Sequence, residues 1–232
     1  MRAIRGHLLS ELVIRYGTAS DGAGTPQPLI DSKNLQTPYS FAPDGKRVAW
    51  NELSEGLFSL WTATVESDGT GLRAGKPEVI LQTSDDEEVP MFSPDGRWLA
   101  YLSRQSGTYQ VYVRAFPDRG AKWQVSNDGG YYPIWSRNGR DLFFVAPDAR
   151  IMVAAYTVKS DSFKAEKPRV WSDKQLVNFR LSAQNYDVAP DGKRVAALIP
   201  VETPAPPPAQ NHVEFLMNFR DELRRKIPPS GR

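Results

Sequence analysis

The sequence predicts an all-β protein, a β-propeller built from four-stranded antiparallel blades, and three observations support this fold class. A short turn motif recurs four times along the 232 residues, at spacings of 51, 43 and 53 residues. A second, unrelated element recurs between these turns and in phase with them. Short strands that are rich in aromatic and β-branched residues fill the intervals with a period of two. Four such strands per repeat of this length are typical of a propeller blade.

The recurring turns centre on Asp44, Asp95, Asn138 and Asp191, each followed by glycine. Proline precedes the three aspartates and presets φ at the first turn position, the Asp or Asn side chain bonds its own backbone, and glycine takes the left-handed position. The three aspartates are therefore expected to be structural turn residues without a ligand role. The second element is visible where 20–24 matches 67–71 and where 72–80 matches 163–171.

The repeats divide the chain into blades. Three are predicted to be complete, at residues 39–81, 89–125 and 133–171, and two to be partial, at residues 9–30 and 186–200. The propeller is thus expected to occupy residues 1–201, followed by a Pro-rich linker at 202–211 and by a closing strand and short C-terminal helix at 212–232. The partial blades allow either a four-bladed ring or an open arc. An arc would expose edge strands, so a homodimer through these edge blades is one expectation.

Composition excludes several classes of protein. The 29 Lys and Arg residues against 27 Asp and Glu give a charge of +2, without the basic excess of a nucleic-acid-binding protein. The absence of cysteine excludes disulfides, thiolate nucleophiles and Cys-ligated metal sites. The longest apolar run, Ile151–Tyr156, is far too short to span a membrane. No signal peptide is recognised, so the chain as given is expected in the cytoplasm, or outside it if it is part of a longer protein.

The stretch Phe92–Tyr101 resembles the repeat of the TolB-type, WD-repeat-like β-propeller family, and the resemblance extends over about residues 20–200. More narrowly, the stretch 107–144 and the ending 218–225 resemble the propeller that follows the kinase domain in many bacterial eukaryotic-like serine/threonine kinases. This resemblance implies a propeller fold and a role in a signalling or envelope protein. Kinase activity does not carry over, because the Gly-rich loop, the His-Arg-Asp loop and the Asp-Phe-Gly motif are all absent from the sequence.

Candidate binding residues precede the innermost strands, at one end of the expected channel. They are Gln36, Asp85, Asp86, Glu87, Glu88, Tyr131, Tyr132, Gln184 and Asn185. The acidic run 85–88 is expected in a loop at the channel mouth, where it would bind a cation or a basic partner. The alternative is a solvated loop, or carboxylates that pair with Arg97 or Lys122. Tyrosine is a typical anchor for a partner, with packing inside the fold as the competing explanation.

Two classes of function follow. The first is a non-catalytic interaction module that binds a protein or peptide through loops at the channel mouth, as the sensor or scaffold part of a larger bacterial signalling or envelope protein. The second is a propeller-based hydrolase, or an accessory domain of a peptidase or a serine/threonine kinase. A hydrolase needs a convergent pair of perturbed titratable groups, which only the acidic run offers. No catalytic residue, metal site or cofactor is predicted, because no nucleophile elbow, zinc motif, phosphate loop or calcium loop occurs in the sequence.

Overall fold

The computed structural model describes residues 14–16, 27–67, 71–118, 120–177 and 184–201. These residues form eighteen β-strands and no helix. Nothing in this part of the chain is a helix long and apolar enough to cross a membrane. The chain divides into two compact units, residues 1–200 and 201–232, and all of the strands belong to the first.

Five antiparallel sheets follow one another along the chain. The first has two strands, β1 (Ile14–Tyr16) and β2 (Gln27–Ile30). Blade I contains β3 (Leu35–Phe41), β4 (Arg47–Ser54), β5 (Leu57–Ser67), β6 (Leu72–Ala74) and β7 (Glu78–Leu81). Both β6 and β7 pair with β5, at different ends of that long strand.

Blade II has four strands, β8 (Glu87–Phe92), β9 (Trp98–Ser103), β10 (Gln110–Ala115) and β11 (Lys122–Gln124). Blade III repeats the plan of blade I with β12 (Tyr131–Trp135), β13 (Asp141–Val145), β14 (Arg150–Lys159), β15 (Ser162–Ala165) and β16 (Arg169–Gln175). A final two-stranded sheet contains β17 (Tyr186–Val188) and β18 (Val195–Ala197). The predicted all-β propeller fold with four-stranded antiparallel blades is confirmed. The linker, closing strand and helix predicted for 202–232, and most of the partial blade at 9–30, lie outside the described residues.

The middle strands of blade II show how the blades pack. Every residue of β9 and of β10 is buried, on both faces of the sheet. A sheet with one solvated face would alternate, so this pattern means that apolar side chains cover blade II from both sides. Phe163 of blade III, which is 2% exposed, lies 5.4 Å from Trp98 and 6.1 Å from Trp123 of blade II, measured between ring centroids. Trp135 joins the same group, so these tryptophans pack between blades.

Single side chains also connect neighbouring first strands. The Ser40 hydroxyl of β3 donates to the Pro90 carbonyl of β8 at 2.8 Å and accepts from the Phe92 N–H. Trp135 Nε1 of β12 donates to the Met91 carbonyl of β8 at 2.9 Å. The strands β3, β8 and β12 therefore stand side by side, as the innermost strands of a propeller do, and β17 lies next to β12.

The four repeated turns have one geometry. In each, the glycine has φ near +70° and its N–H bonds the carbonyl three residues earlier. In each, an oxygen of the Asp or Asn side chain accepts the N–H two residues ahead, at 2.8 to 3.1 Å. This is the predicted turn chemistry, and the side chains of Asp44, Asp95 and Asp191 are engaged in it.

Candidate functional site

The sequence-predicted site residues gather at the mouth end, defined here as the end of the blades at which β3, β8, β12 and β17 begin. Gln36 lies in β3, Tyr131 and Tyr132 open β12, and Gln184 and Asn185 directly precede β17. The four repeated turns lie at the opposite end of the same strands, the turn end. The mouth end is thus assembled from equivalent positions of successive repeats.

The acidic run is divided between a loop and a strand. Asp85 and Asp86 lie in the loop between β7 and β8, as expected, whereas Glu87 and Glu88 are the first residues of β8. Their backbones pair with Ser103 and Leu102 of β9, which extends β8 toward the mouth. Glu87 is only 2% exposed and Glu88 only 6%. The expectation that all four carboxylates lie in a loop is therefore wrong for these two residues.

Glu88 connects blade I to blade II. Its Oε1 accepts a hydrogen bond of 2.6 Å from the Tyr109 hydroxyl, and its Oε2 accepts one of 3.4 Å from Asn51 Nδ2 of β4. Burial raises the pKa of Glu88 and the Tyr109 hydrogen bond opposes that rise, while the charge of Asp86 adds to it. The pKa of Tyr109 is raised by its own burial and by the bond to Glu88. The carboxylate therefore serves as a fixed acceptor between two blades.

Glu87 is bonded within its own blade and mouth loop. One oxygen, Oε1, accepts from the hydroxyls of Thr83 at 2.9 Å and Ser103 at 3.1 Å. The other, Oε2, is buried without a hydrogen-bond partner among the described residues. Burial raises the pKa of Glu87 to about 7, and the two hydroxyl bonds and the charge of Lys122 counteract it. Because one oxygen of this buried carboxylate lacks a hydrogen-bond partner, part of the free-energy cost of removing it from water is not compensated.

A third buried carboxylate, Glu52, holds Gln36. Gln36 Nε2 donates to Glu52 Oε2 at 2.7 Å, and Asn34 Nδ2 donates to Glu52 Oε1 at 2.9 Å. Gln36 is 1% exposed, so it is part of the interior of blade I and does not face solvent at the mouth. The structure therefore separates Gln36 from the exposed residues with which it was grouped.

The alternative pairing of the acidic run with Arg97 or Lys122 also differs from what the structure contains. Asp86 instead pairs with Arg104 at 3.8 Å and accepts the Phe58 N–H of blade I at 3.1 Å. Arg97 contacts Ser160 and Asp161, and Lys122 donates to the Gln105 side chain. Within the described ranges, no group of three His, Asp or Glu side chains is arranged to hold a metal ion.

Two tyrosines, Tyr109 and Tyr131, contribute aromatic surface to the mouth. Tyr131 and Tyr109 are half-buried, with ring centroids 6.2 Å apart, and the guanidinium of Arg104 lies 6.0 Å from the Tyr109 ring. Tyr132 is 5% exposed, and its carbonyl accepts the Tyr186 hydroxyl at 2.7 Å. Tyr131 is thus available to a partner, whereas Tyr132 is a packing residue.

The backbone is strained at equivalent positions of two first strands. Val89 has φ of 55° and Tyr132 has φ of 51°, each within an irregular register where β8 or β12 departs from its neighbour. A positive φ is costly for a β-branched residue such as valine, and strained residues of this kind cluster at functional sites. The two bulges change the direction of the side chains near the start of β8 and of β12. In β8, the bulge directly follows the buried Glu88.

Gln184 and Asn185 complete the mouth on the side of β17. Gln184 is exposed and its Nε2 donates to the Tyr186 carbonyl at 3.0 Å. Asn185 is buried and its Nδ2 donates to the Val177 carbonyl. The exposed members of the predicted set are accordingly Asp85, Asp86, Tyr131 and Gln184, in whole or in part.

Sequence reasoning missed the residues that hold the mouth together. Asn51 and Glu52 lie in β4, a second strand, where the repeat pattern indicates core positions, and Tyr109 directly precedes β10. A polar residue inside a strand that is otherwise apolar was the available signal, since Asn51 and Glu52 follow the apolar residues Val48–Trp50 and are buried with them in β4. Their partners come from other strands and from another blade, which no spacing in the sequence indicates.

Comparisons with known proteins find similar structures and sequences. The solved structure described as a TolB from Agrobacterium tumefaciens superposes with a TM-score of 0.53 and 19% identity, covering 78% of this chain and 64% of that one. The chain is also 26% identical over 130 residues to the uncharacterized protein Atu1656 of Agrobacterium fabrum, covering 55% of this chain and 41% of that protein. It is 25% identical to dipeptidyl-peptidase 5 of Trichophyton equinum, covering 93% of this chain and 29% of the peptidase. No family model matches the sequence.

The fold and the repeats define a β-propeller, which is the fold shared with the TolB structure that superposes on it. The chain spans less than half the length of either curated relative.

Proposed function

We propose that this chain is a non-catalytic β-propeller module that binds a protein or peptide through the mouth end, as the sensor or scaffold part of a larger bacterial signalling or envelope protein. The observation that carries the proposal is that the buried and the exposed side chains at the mouth have different roles. The buried carboxylates of Glu52, Glu87 and Glu88 bond to side chains of the fold itself, while a separate set of side chains stays accessible. Rigid supporting bonds beneath an exposed polar and aromatic surface suit recognition of a partner.

The exposed set is chemically mixed. Tyr131 and Tyr109 provide aromatic area with polar hydroxyls, Asp85 and Gln184 provide hydrogen-bond acceptors, and Arg104 provides a cation. Aromatic and arginine side chains are enriched at the centres of protein interfaces. The near-neutral charge of the chain also favours a protein partner over a nucleic acid.

Site-specific photocrosslinking tests this function. The photoreactive residue p-benzoylphenylalanine would replace Tyr131 or Gln184 in the chain expressed in its organism of origin, with Lys164 of β15 as an exposed control position at the turn end. We expect a discrete crosslinked protein from each mouth position and none from Lys164. Equal crosslinking at all three positions, or none at any, would refute a binding surface at the mouth.

A second candidate is a propeller that accompanies a peptidase. The similarity to dipeptidyl-peptidase 5 favours it, since that match extends over 93% of this chain but only 29% of the peptidase. Assays of the purified chain against generic peptide and glycoside substrates test for activity in the chain itself. Robust turnover that Glu88→Ala abolishes would replace the non-catalytic proposal with a hydrolase.

A further inference from the structure

A cavity of about 980 Å³ opens at the turn end, opposite to the mouth. Residues of all three blades and of the β17–β18 sheet line it. Its wall includes the apolar side chains of Phe41, Met91 and Trp135, and Phe41 is 52% exposed despite its size. The volume is within the range of ligand-binding clefts, and an exposed aromatic side chain in such a wall is available for contact.

The four turns contribute the same position to this cavity, but not the same residue. Pro43, Pro94 and Pro190 line it from blade I, blade II and the last sheet, and Arg137 lines it from blade III. The third turn is thus Arg-Asn-Gly where the others are Pro-Asp-Gly. Relative to the other turns, these two positions gain one positive charge and lose one negative charge, while Asp141 stands where the first and last turns have Arg47 and Arg194.

The fold accounts for Asn138, whose Nδ2 donates to Asp141 Oδ2 at 3.0 Å, but it does not account for Arg137. Asn138 Oδ1 accepts the Arg140 N–H at 2.8 Å, as aspartate does in the other turns, and Gly139 has φ of 69°. Proline is the favoured residue at the position that Arg137 occupies, because its fixed φ matches the turn. Turn geometry therefore gives no reason for an arginine here. Among the described residues, Arg137 forms no ion pair, and it is exposed.

The cavity wall carries two other charged groups. Arg194 pairs with Asp191 at 3.2 Å, whereas Asp187 accepts the N–H of Val188 and forms no ion pair among the described residues. Arg137 is therefore the cation that faces the cavity with its full set of donors to offer. A guanidinium donates two parallel hydrogen bonds to a carboxylate, and the apolar wall beside it suits hydrophobic side chains.

We propose that the turn-end cavity binds an acidic peptide segment, with Arg137 pairing with a carboxylate of the ligand and with Phe41 and Trp135 contacting its apolar side chains. A single guanidinium beside an apolar wall matches a carboxylate-bearing peptide better than a phosphate-rich ligand, which calls for several clustered cations or backbone N–H groups. This site is separate from the mouth and does not rest on the function proposed for the mouth.

Selection from a random nonapeptide phage library against the full chain tests the proposal. We expect the selected peptides to be enriched in Asp and Glu over Lys and Arg. A selected peptide, labelled with fluorescein, then serves as the probe for variants. The double substitution Arg137→Pro with Asn138→Asp restores the Pro-Asp-Gly sequence of the other turns and removes the guanidinium, although it also removes the Asn138 bond to Asp141.

The double variant is expected to bind the probe about tenfold more weakly, the effect of losing one charge-assisted pair. Arg140→Gln removes a cation from the same turn but outside the cavity wall, and it should change the affinity by less than about twofold. If the double variant melts early, Arg137→Gln replaces it. Gln184→Ala at the mouth should leave binding unchanged, which separates this site from the mouth. Failure to enrich acidic peptides, or an affinity unaffected by loss of Arg137, would overturn the proposal.

Discussion

The turn end and the mouth end of the blades connect the same strands by different physical means. At the turn end, backbone bonds and a glycine with φ near +70° repeat four times almost without change. At the mouth end, the residues eight positions before the first three turn centres are Gln36, Glu87 and Gly130, with different partners each time. The turn end is thus determined by backbone geometry, and the mouth end by individual side-chain bonds. Substitutions at the two ends should therefore destabilise the protein for different reasons.

The largest effect is expected from Glu88→Ala at the mouth. This change leaves the Tyr109 hydroxyl and the Asn51 amide, both bonded to Glu88, without their shared acceptor. We expect the free energy of unfolding to fall by about 2–3 kcal/mol, the cost of buried polar groups left unpaired. Urea titration measures it, with Glu88→Gln as the control that retains an oxygen acceptor. An alanine variant as stable as the parent would show that this contact does not hold blades I and II together.

Gly96→Val tests the turn end, where a residue with a branched side chain at the glycine position should destabilise the turn. Gly96 has φ of +69°, and a Cβ there would lie 3.4 Å from Pro43 Cδ, so strain is expected more than collision. The predicted loss is about 1–2 kcal/mol, because a β-branched residue resists positive φ. Gly96→Asn is the matched control, since asparagine tolerates this region better. Unchanged thermal stability combined with loss of partner binding would instead assign the turn a ligand role.

A pH dependence should distinguish the mouth end, because Glu87 is buried there. Burial raises its pKa to about 7 from the ordinary value of 4.5, so between these pH values the folded chain binds more protons than the unfolded chain. Its contribution to stability is therefore complete below pH 4.5 and is lost as pH rises through 7. Asp85 strengthens the shift, and Lys122 weakens it.

Glu87→Gln removes this titration while keeping an oxygen that accepts from Thr83 and Ser103. As the pH rises from 5 to 8, the variant should gain about 1–2 kcal/mol of stability relative to the parent, measured by urea titration at both pH values. The substitution Asp85→Asn, in the loop that precedes β8, is the control and should change this difference only slightly. Parallel pH profiles for the parent and Glu87→Gln would contradict the assignment of the shift to Glu87.

The same contrast explains what the sequence could predict. Turn chemistry is local, so Asp44, Asp95, Asn138 and Asp191 indicated the hairpins, and the phase of the repeat indicated the blades. The gathering of the site residues at one end followed from that repeat. Burial of Glu87 and Glu88 did not, because an acidic run predicts exposure unless its partners are known. Those partners, such as Asn51 and Tyr109, lie 37 and 21 residues away in sequence from Glu88.

The smallest expected effect concerns the side-chain oxygen acceptor that all four turns share. Asp95 Oδ1 accepts the Arg97 N–H at 3.1 Å and also the Ser93 hydroxyl. Asp95→Ala removes both bonds and should lower stability by about 1 kcal/mol, whereas Asp95→Asn keeps an acceptor and should stay within about 0.5 kcal/mol of the parent. Asn138 already makes this bond in blade III at 2.8 Å, so the acceptor oxygen matters at this position and the charge does not. Thermal melts of the two variants measure the difference. If Asp95→Asn proved as costly as Asp95→Ala, the negative charge itself would be needed in blade II. The neutral side chain of Asn138 would then make the third turn an exception in structure as well as in sequence.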